Sequence, residues 1–298
     1  MRLVTFTETV PGAVAAVASS RAGVVAGEEV VDLSDPVVGL PTSMAALLAA
    51  GPEAMEVAAR AVHSAAARRP LGEVVLLAPV PEPPKVMAIG LNYRAHVAEM
   101  GRPAPPHQVW FNKQRTCVVG PGHAVEIPRV SSQVDYEGEL AFVIGRRCRH
   151  VPAADAVGVV AGFTVMNDVS VRDWQWRTPT WTMGKSFDTH GPVGPCLVTP
   201  DELGDPHRLA LRTWVNGELR QDSTTGDMIF SCWEMVAELS TVFTLEPGDV
   251  VSTGTPAGVG ASFDPPRWLV PGDTVRIEVE GVGRLENPVA PERPGGPT

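Results

Sequence analysis

The stretch that decides the fold is Val134-Asp-Tyr-Glu-Gly-Glu-Leu-Ala-Phe-Val-Ile144, in which an acidic segment leads into an unbroken apolar run. The run predicts a β-strand over Gly138–Ile144. Strand side chains alternate with period two, so Glu137 and Glu139 fall on one face. Two adjacent carboxylates repel each other unless a cation lies between them, and oxygen-only ligands favour Mg²⁺ or Mn²⁺. The alternative is an acidic pair that faces solvent at the start of a strand.

A second apolar run, Gly158–Met166, predicts another strand and ends in Asn167-Asp168. An Asp that follows a strand is often only a turn residue. Together with Glu137 and Glu139, however, Asp168 makes a set of three carboxylates. Three are enough for an octahedral site that water or substrate completes. We therefore treat these residues as the candidate ligands of Mg²⁺ or Mn²⁺.

Short apolar or alternating runs continue through the part of the chain after residue 85, separated by Gly, Pro and the hairpin signal Asn216-Gly217. Further strands are predicted at Val86–Ile89, Cys196–Thr199, Leu209–Val215, Asp249–Thr253 and Thr274–Val279. Helices are predicted at Ala95–Met100, Ala153–Val157 and Ser231–Ser240. The pattern indicates an α+β fold that is mostly β, with small helices around it.

Residues 1–84 precede this β-rich part and predict a small N-terminal α/β domain. Its predicted strands are Arg2–Phe6, Ala13–Ala18, Val24–Leu33 and Val74–Ala78, and its helices are Ser43–Leu48 and Glu53–Ala67. The segment Pro79-Val-Pro-Glu-Pro-Pro84 then interrupts regular structure, because proline fixes φ and lacks a donor. The main domain is predicted over residues 85–286. The Pro- and Gly-rich tail, residues 287–298, is predicted to be disordered.

The composition is that of an acidic globular protein: 298 residues carry 24 basic and 34 acidic side chains, for a formal net charge of -10. This balance argues against a nucleic-acid partner, which needs clustered Lys and Arg. The four cysteines form no CxxC pair, which argues against a zinc site or a disulfide framework and suits a reducing cytoplasm. No apolar run approaches the ~18 residues of a membrane helix. We therefore expect a cytoplasmic protein without a membrane partner.

Lysine is scarce, since only Lys85, Lys113 and Lys185 accompany 21 arginines. In a sequence that uses arginine for nearly all of its basic residues, a lysine indicates a role that arginine cannot fill. Lys185 lies in the Gly-flanked segment Met183–Asp188, and beside a metal-bound anion its ammonium would stabilise developing negative charge. The alternative is that Lys185 is only a salt-bridge partner.

Other polar residues are candidates for proton transfer and substrate binding. His96 and Glu99 are three apart in a predicted helix, so the carboxylate can fix the tautomer of an imidazole base. An incidental pair on a surface helix is the alternative. Arg172 and Gln175 could bind substrate oxygens, or Arg172 could lie on the surface. Thr255 lies in a Gly-rich loop whose amides and hydroxyl could hold a carboxylate.

Taken in order, five stretches resemble the fumarylacetoacetate hydrolase family, in particular its acylpyruvase and 2-hydroxyhepta-2,4-diene-1,7-dioate isomerase-like branch. They are Gly90–Met100, Val134–Gly145, Met166–Gln175, Gly184–Thr199 and Gly254–Gly260. The resemblance implies the mixed β-sandwich roll of that family. It also implies a homodimer whose sites lie in the C-terminal module.

The resemblance assigns roles by position. It implies metal binding by Glu137, Glu139 and Asp168, catalysis by His96, Glu99 and Lys185, and substrate contacts from Gln175 and Thr255, with Arg172 a weaker match. The chain departs from the family pattern after Lys113, where Gln114-Arg115-Thr116 replaces a Lys-Pro-Ser type segment that borders the substrate. His190 is a second departure, at a position where relatives carry an aromatic or a small residue.

The activity that the resemblance implies is Mg²⁺- or Mn²⁺-dependent hydrolysis of a C–C bond in a 2,4-dioxo acid, which would be the small-molecule partner. His96, polarised by Glu99, would take a proton from water, and Lys185 would stabilise the enolate that leaves. Without an attacking water, the same site would serve an oxaloacetate-type decarboxylase or a 2-hydroxydienoate isomerase. A non-enzymatic metal-binding protein is the remaining alternative.

Overall fold

Strands dominate the structure, a computed structural model that describes residues 1–8 and 19–293. The strands are β1 (Arg2–Glu8), β2 (Arg21–Ala26), β3 (Glu29–Asp32), β4 (Arg68–Pro70), β5 (Val74–Leu77), β6 (Val86–Gly90), β7 (Val109–Lys113), β8 (Val118–Val119), β9 (Val125–Ile127), β10 (Val134–Asp135), β11 (Gly138–Ile144), β12 (Val160–Asn167), β13 (Ser170–Val171), β14 (Gly191–Val198), β15 (Ala210–Val215), β16 (Glu218–Thr224), β17 (Val250–Ser252), β18 (Thr274–Val279) and β19 (Gly283–Pro291). The helices are α1 (Met44–Ala49), α2 (Pro52–Ala61), α3 (Arg94–Glu99), α4 (Arg172–Gln175), α5 (Thr182–Lys185), α6 (Pro200–Leu203) and α7 (Cys232–Val242). Within the described residues, every helix is too short or too polar to span a bilayer. The predicted strand Ala13–Ala18 lies outside the described residues.

The described strands form one large sheet, one sheet of five strands and one short pair. The large sheet has the order β4-β3-β2-β1-β14-β12-β11-β17-β6-β7, with β5 paired to β1 and β8 paired to β14. The second sheet has the order β16-β15-β18-β19-β9, and β10 pairs with β13. The prediction of an α+β, mostly β fold is confirmed.

Strand β11 lies in the middle of the large sheet and is buried along its whole length. Its alternate side chains enter two different cores, as the period of two requires. Leu140, Phe142 and Ile144 pack in the core shared with strands β15, β18 and β19. Ala141 and Val143 face the opposite core, to which helices α1 and α2 contribute. A strand covered on both faces has a continuous apolar sequence, and this is why β11 could be predicted from the sequence.

Four strand ends meet at one edge of the large sheet. Strand β11 is antiparallel to both β12 and β17, and β17 is parallel to β6. The start of β11 therefore lies beside the ends of β12, β17 and, one strand further, β6. Glu139, Asp168 and Gly254 are at or just beyond these ends. This edge therefore brings candidate site residues from separate strands together.

The N-terminal region shares the large sheet with the rest of the chain. Strand β1 pairs with β2 and β5 on its own side of residue 84 and with β14 on the other side. A boundary at residue 84 therefore cuts through hydrogen-bonded strands, and an independent N-terminal domain stays a prediction.

Two predicted elements in this region are wrong in their extent. The single strand expected over Val24–Leu33 is a hairpin, because the chain turns at Gly27-Glu28 and β2 pairs back onto β3. The helix expected over Glu53–Ala67 ends at Ala61, where the Ser64 hydroxyl donates to the Ala61 carbonyl at 2.8 Å. Such local side-chain bonds compete with the continuation of a helix.

The C-terminal tail is more ordered than predicted. Strand β19 continues to Pro291, paired with β18 and β9, so disorder does not begin at residue 287. Leu285, Asn287 and Val289 alternate inwards, and the Asn287 amide donates to the carbonyls of Gly120 and His123. The Pro- and Gly-rich composition obscured this alternation. Residues 294–298 lie outside the described part of the chain.

Candidate active site

The three predicted metal ligands come together at the convergent strand ends. Glu137, Glu139 and Asp168 each offer one carboxylate oxygen, and these oxygens all lie within 4.8 Å of one another. All three side chains are buried. The exposed acidic pair that the sequence left open for Glu137 and Glu139 is therefore wrong. Arg172 and Lys185 contact the buried Glu137, and Ser252 and Gly254 contact the buried Glu139.

The charges of these carboxylates are balanced unequally. Although burial opposes ionisation, Lys185 and Arg172 hold the pKa of Glu137 at about 2. Glu139 accepts hydrogen bonds from the Ser252 hydroxyl and, at 2.8 Å, from the Gly254 amide, neither of which carries a charge. Burial and the neighbouring carboxylates therefore raise the pKa of Glu139 well above its ordinary value.

This donor set fits a hard divalent cation. Three buried carboxylates that offer only oxygen atoms are the ligand chemistry of Mg²⁺ and Mn²⁺. Among the described residues, Glu139 forms hydrogen bonds with uncharged donors and no ion pair, so a bound cation would supply the positive charge that it lacks. Glu137, Glu139 and Asp168 are the residues that would hold such an ion.

Lys185 stands at the end of the short helix α5, with its ammonium between two of the carboxylates. Its Nζ donates to Glu137 Oε2 at 2.6 Å and to Asp168 Oδ2 at 2.7 Å. Burial opposes the charge, but these carboxylates raise the pKa of Lys185, so it is protonated at neutral pH. An ammonium has three donors, which leaves one N–H for the cavity that Lys185 lines. The salt-bridge role and the catalytic role are therefore compatible.

Arg172, at the start of helix α4, is held inside the protein. Its guanidinium lies 2.8 Å from Asp135 Oδ2 and 2.7 Å from Glu137 Oε1, and it donates to Gln175 Oε1 at 2.9 Å. These contacts orient Glu137 and Gln175 towards the cavity that both line. Direct substrate contacts by Arg172 and Gln175 stay predictions.

Helix α3 carries the predicted His–Glu pair. His96 Nδ1 lies 3.2 Å from Glu99 Oε2, and Glu99 Oε1 accepts the Gly258 amide at 3.0 Å. Burial opposes ionisation of Glu99, but the His96 and Gly258 hydrogen bonds lower its pKa. The pair lines the same cavity as Glu137, Glu139 and Lys185, and its role in proton transfer stays a prediction. The contact with Gly258 connects the helix to the Gly-rich loop.

Thr255 uses its hydroxyl within the protein. The hydroxyl donates to the Gly138 carbonyl at 3.0 Å and accepts from Gln221 Nε2 at 2.8 Å. It thereby attaches the Gly-rich loop to the start of β11. Thr255 also lines the cavity, and its predicted contact with substrate stays a prediction.

The cavity enclosed by these residues has a volume of about 320 Å³, which suits a small molecule. Its floor is buried, with Glu139 and Lys185 exposing 1% and 2% of their surface. Its rim is open and carries apolar surface from Met100, which exposes 38%, and Trp176, which exposes 61%. The cavity could therefore hold a ligand with a polar group at the floor and an apolar or extended group at the rim.

Two buried residues support the site and were not identified from the sequence. Lys113 Nζ donates to Asp168 Oδ1 at 2.7 Å and also to the Lys185 carbonyl. Asp135 accepts the Gly260 amide at 2.7 Å in addition to its contacts with Arg172. Lysine scarcity was a signal for Lys113, which the structure places at the end of β7. Nothing in the sequence distinguished Asp135 from the two glutamates after it.

The chain is similar to known proteins over most of its length. A family model described as fumarylacetoacetate (FAA) hydrolase C-terminal matches residues 85–290. The chain is 42% identical over 265 residues to the mitochondrial oxaloacetate tautomerase fahd2 of Xenopus laevis, which covers 88% of this chain and 83% of that protein. It is 46% identical over 223 residues to the oxaloacetate tautomerase YisK of Bacillus subtilis (strain 168), with 74% of each covered.

A solved structure with the same fold is maleylpyruvate hydrolase from Sphingobium sp. SYK-6, in complex with manganese(II) ion and pyruvate. The TM-score is 0.81 at 34% identity, and the match covers 98% of this chain and 100% of that chain.

Proposed function

This chain belongs to the fumarylacetoacetate hydrolase family, and from that premise we propose that it is a Mg²⁺- or Mn²⁺-dependent oxaloacetate tautomerase. Its curated relatives support oxaloacetate chemistry, which the sequence offered only as an alternative in the form of a decarboxylase, over the C–C hydrolysis expected first. A manganese-bound relative supports the choice of metal.

The observation that carries the proposal is the composition of one cavity. Glu137, Glu139 and Lys185 line its floor, and the His96–Glu99 pair lines the same space. Asp168 completes the carboxylate cluster directly behind this floor. Keto–enol conversion of a 2-oxo acid needs two things: a base that can exchange a proton with carbon, and positive charge near the C2 oxygen. Both are present, and a single small molecule can contact both.

The chain's own residues divide this work. Tautomerisation moves one proton between C3 and the C2 oxygen. Glu99 binds His96 at Nδ1 and leaves Nε2 free for the substrate. In the enol-to-keto direction, Nε2 accepts the proton of the enol hydroxyl and then delivers that proton to C3. The third N–H of Lys185 donates to the C2 oxygen as that oxygen gains negative charge. When bound, Mg²⁺ or Mn²⁺ supplies Lewis acidity that further stabilises this charge.

C–C hydrolysis of a 2,4-dioxo acid is the second candidate, because the His96–Glu99 pair could equally activate a water molecule. The likeness to maleylpyruvate hydrolase also favours it. Decarboxylation of oxaloacetate passes through the same enolate and needs no water. A homodimer and a cytoplasmic location remain predictions.

One experiment separates these functions. Purified protein with added Mg²⁺ or Mn²⁺ is given oxaloacetate, acetylpyruvate or fumarylpyruvate, and enol absorbance and carboxylic-acid products are followed together. Loss of oxaloacetate enol faster than release of pyruvate supports the tautomerase. Release of pyruvate from oxaloacetate at the same rate as loss of the enol indicates a decarboxylase. Release of pyruvate from the two acylpyruvates indicates a hydrolase. No conversion of any substrate would indicate a non-enzymatic protein.

A further inference from the structure

The cationic side chains of the cavity differ in what they already bind. Apart from His96, three cations line it: Arg102, Arg172 and Lys185. Arg172 and Lys185 are both committed to buried carboxylates. Among the residues that the structure describes, no acceptor or carboxylate contacts the guanidinium of Arg102. Arg102 is therefore the cation available to an incoming anion.

The backbone fixes Arg102 relative to the catalytic helix. Gly101 has φ of 63° and donates to the Ala98 carbonyl at 2.9 Å, while the Arg102 amide donates to the Val97 carbonyl at 3.1 Å. These two bonds form a Schellman motif, which ends a helix with a defined geometry. Pro103 follows and restricts the chain further. Arg102 thus starts from a fixed point on the helix that carries His96 and Glu99.

Arg102 is at the rim of the cavity, whereas the carboxylate cluster is at its floor. Arg102 is exposed, while Glu139 and Lys185 are almost completely buried. The 2-oxo end of a substrate must reach the floor, because the proposed chemistry occurs there. The far end of the molecule then points towards the rim, where Trp176 and Met100 offer mainly apolar surface. A carboxylate placed there needs a partner, and an arginine can bind it through two parallel hydrogen bonds.

We propose that Arg102 binds the distal carboxylate of the substrate and so makes the enzyme selective for 2-oxo dicarboxylates over 2-oxo monocarboxylates. This inference rests on the proposed function and names the substrate class of the same site. Arg102 acts on a part of the substrate that keeps its charge throughout tautomerisation. Its contact is therefore equally strong in the ground state and the transition state, and it lowers KM without changing kcat.

The test compares oxaloacetate with pyruvate, which has the same 2-oxo acid end and no distal carboxylate. In Arg102→Gln, we expect the KM of oxaloacetate to rise about tenfold, the loss typical of one charge-assisted hydrogen bond, with kcat unchanged. The inhibition constant of pyruvate should stay at its wild-type value. Arg102→Lys keeps the charge and should recover part of the affinity. Arg208→Gln is the matched control, because Arg208 is an exposed arginine that pairs with Asp205 and does not line the cavity.

An unchanged KM for oxaloacetate in Arg102→Gln, beside an active wild type, would overturn the assignment of Arg102 alone. Equal losses of oxaloacetate and pyruvate affinity would also overturn it, because the effect would not depend on the distal carboxylate. A wild type that does not convert oxaloacetate would overturn the proposed function and this inference with it.

Discussion

Lys113 Nζ lies 2.7 Å from Asp168 Oδ1, on the opposite side of the carboxylate from the oxygen that binds Lys185. Both lysines are buried, and Lys113 also binds the carbonyl of Lys185. One ammonium therefore fixes the Asp168 carboxylate, a proposed metal ligand, and the backbone of Lys185 together. Groups of this kind orient the ligands of metal sites, and their loss typically weakens metal binding 10- to 100-fold, as a rough guide.

We therefore expect Lys113→Met to raise the dissociation constant for Mn²⁺ by about tenfold or more. Isothermal titration calorimetry on the metal-free protein measures it directly. Lys85→Met is the matched control, since Lys85 forms an ion pair with Asp249 outside the cavity. Equal Mn²⁺ affinity in Lys113→Met and the wild type would show that Lys113 does not support the metal site.

Glu139 makes the stability of the metal-free protein depend on pH. Its pKa is raised above the ordinary value of 4.5 in the folded state, so folding favours the protonated form. Stability should therefore fall as pH rises above about 4.5, since the unfolded chain ionises first. Glu139→Gln removes this penalty and should raise Tm at pH 7 in EDTA by about 2 °C or more. The same substitution should weaken Mn²⁺ binding.

Differential scanning calorimetry in EDTA at about pH 5 to 8 measures the pH dependence of Tm in the wild type and the change in Tm caused by Glu139→Gln. A lower Tm for Glu139→Gln than for the wild type throughout this range would mean that the Glu139 carboxylate is not destabilising. The three-carboxylate cluster would then have its charge balanced within the protein.

Gly184 permits the close approach of α5 to α4 that places Lys185 at the floor. A Cβ added to Gly184 would lie 2.2 Å from the backbone nitrogen of Gln175, so one of the two helices must move. Gly184→Ala should therefore lower kcat by as much as about 100-fold, the cost of a displacement near 1 Å at a reacting centre. Gly158→Ala is the control, because nothing lies within 4 Å of its added Cβ. Equal kcat in the two variants would refute the dependence of Lys185 on this contact.

Asp135 connects Arg172 with the loop that follows the Gly-rich segment. Its carboxylate binds the Arg172 guanidinium and accepts the amides of Gly260 and Ala261. Asp135→Asn removes one of the two carboxylates that pair with the buried Arg172 guanidinium, the other being Glu137, and we expect the free energy of unfolding to fall by about 3 kcal/mol. Urea denaturation measures it, with the exposed pair member Asp222→Asn as a control expected to change stability by under about 1 kcal/mol. A similar small loss in both variants would contradict the role of Asp135.

The strands that were predicted well are those whose burial is visible in local sequence. β11 and β12 are covered on both faces, so their apolar runs are continuous. β19 was missed because Pro and Gly interrupt its alternation, although Leu285 and Val289 are buried. The hairpin of β2 and β3 was read as one strand because apolar residues continue on both sides of its turn.

The roles of the site residues were predicted from a family resemblance and from local spacing, and both depend on short stretches of sequence. Lys113 is 55 residues from Asp168, and Asp135 is 125 residues from Gly260. Contacts at that separation depend on strand order, which no local pattern contains. Arg102 was overlooked for a different reason. It is exposed, and only the structure shows that, within its described residues, the Arg102 guanidinium has no partner while Arg172 and Lys185 are paired.

We propose that the carboxylate cluster and the His96–Glu99 pair together convert the enol of oxaloacetate to its keto form. The most direct measurement is the rate of enol loss, followed by ultraviolet absorbance and corrected for the rate in buffer with metal alone. We expect metal-stripped wild type to show no rate above that background, Mn²⁺ to restore it, and His96→Gln to remain at least about 100-fold slower with Mn²⁺ bound. Full activity of His96→Gln, or of wild type in EDTA, would contradict the account.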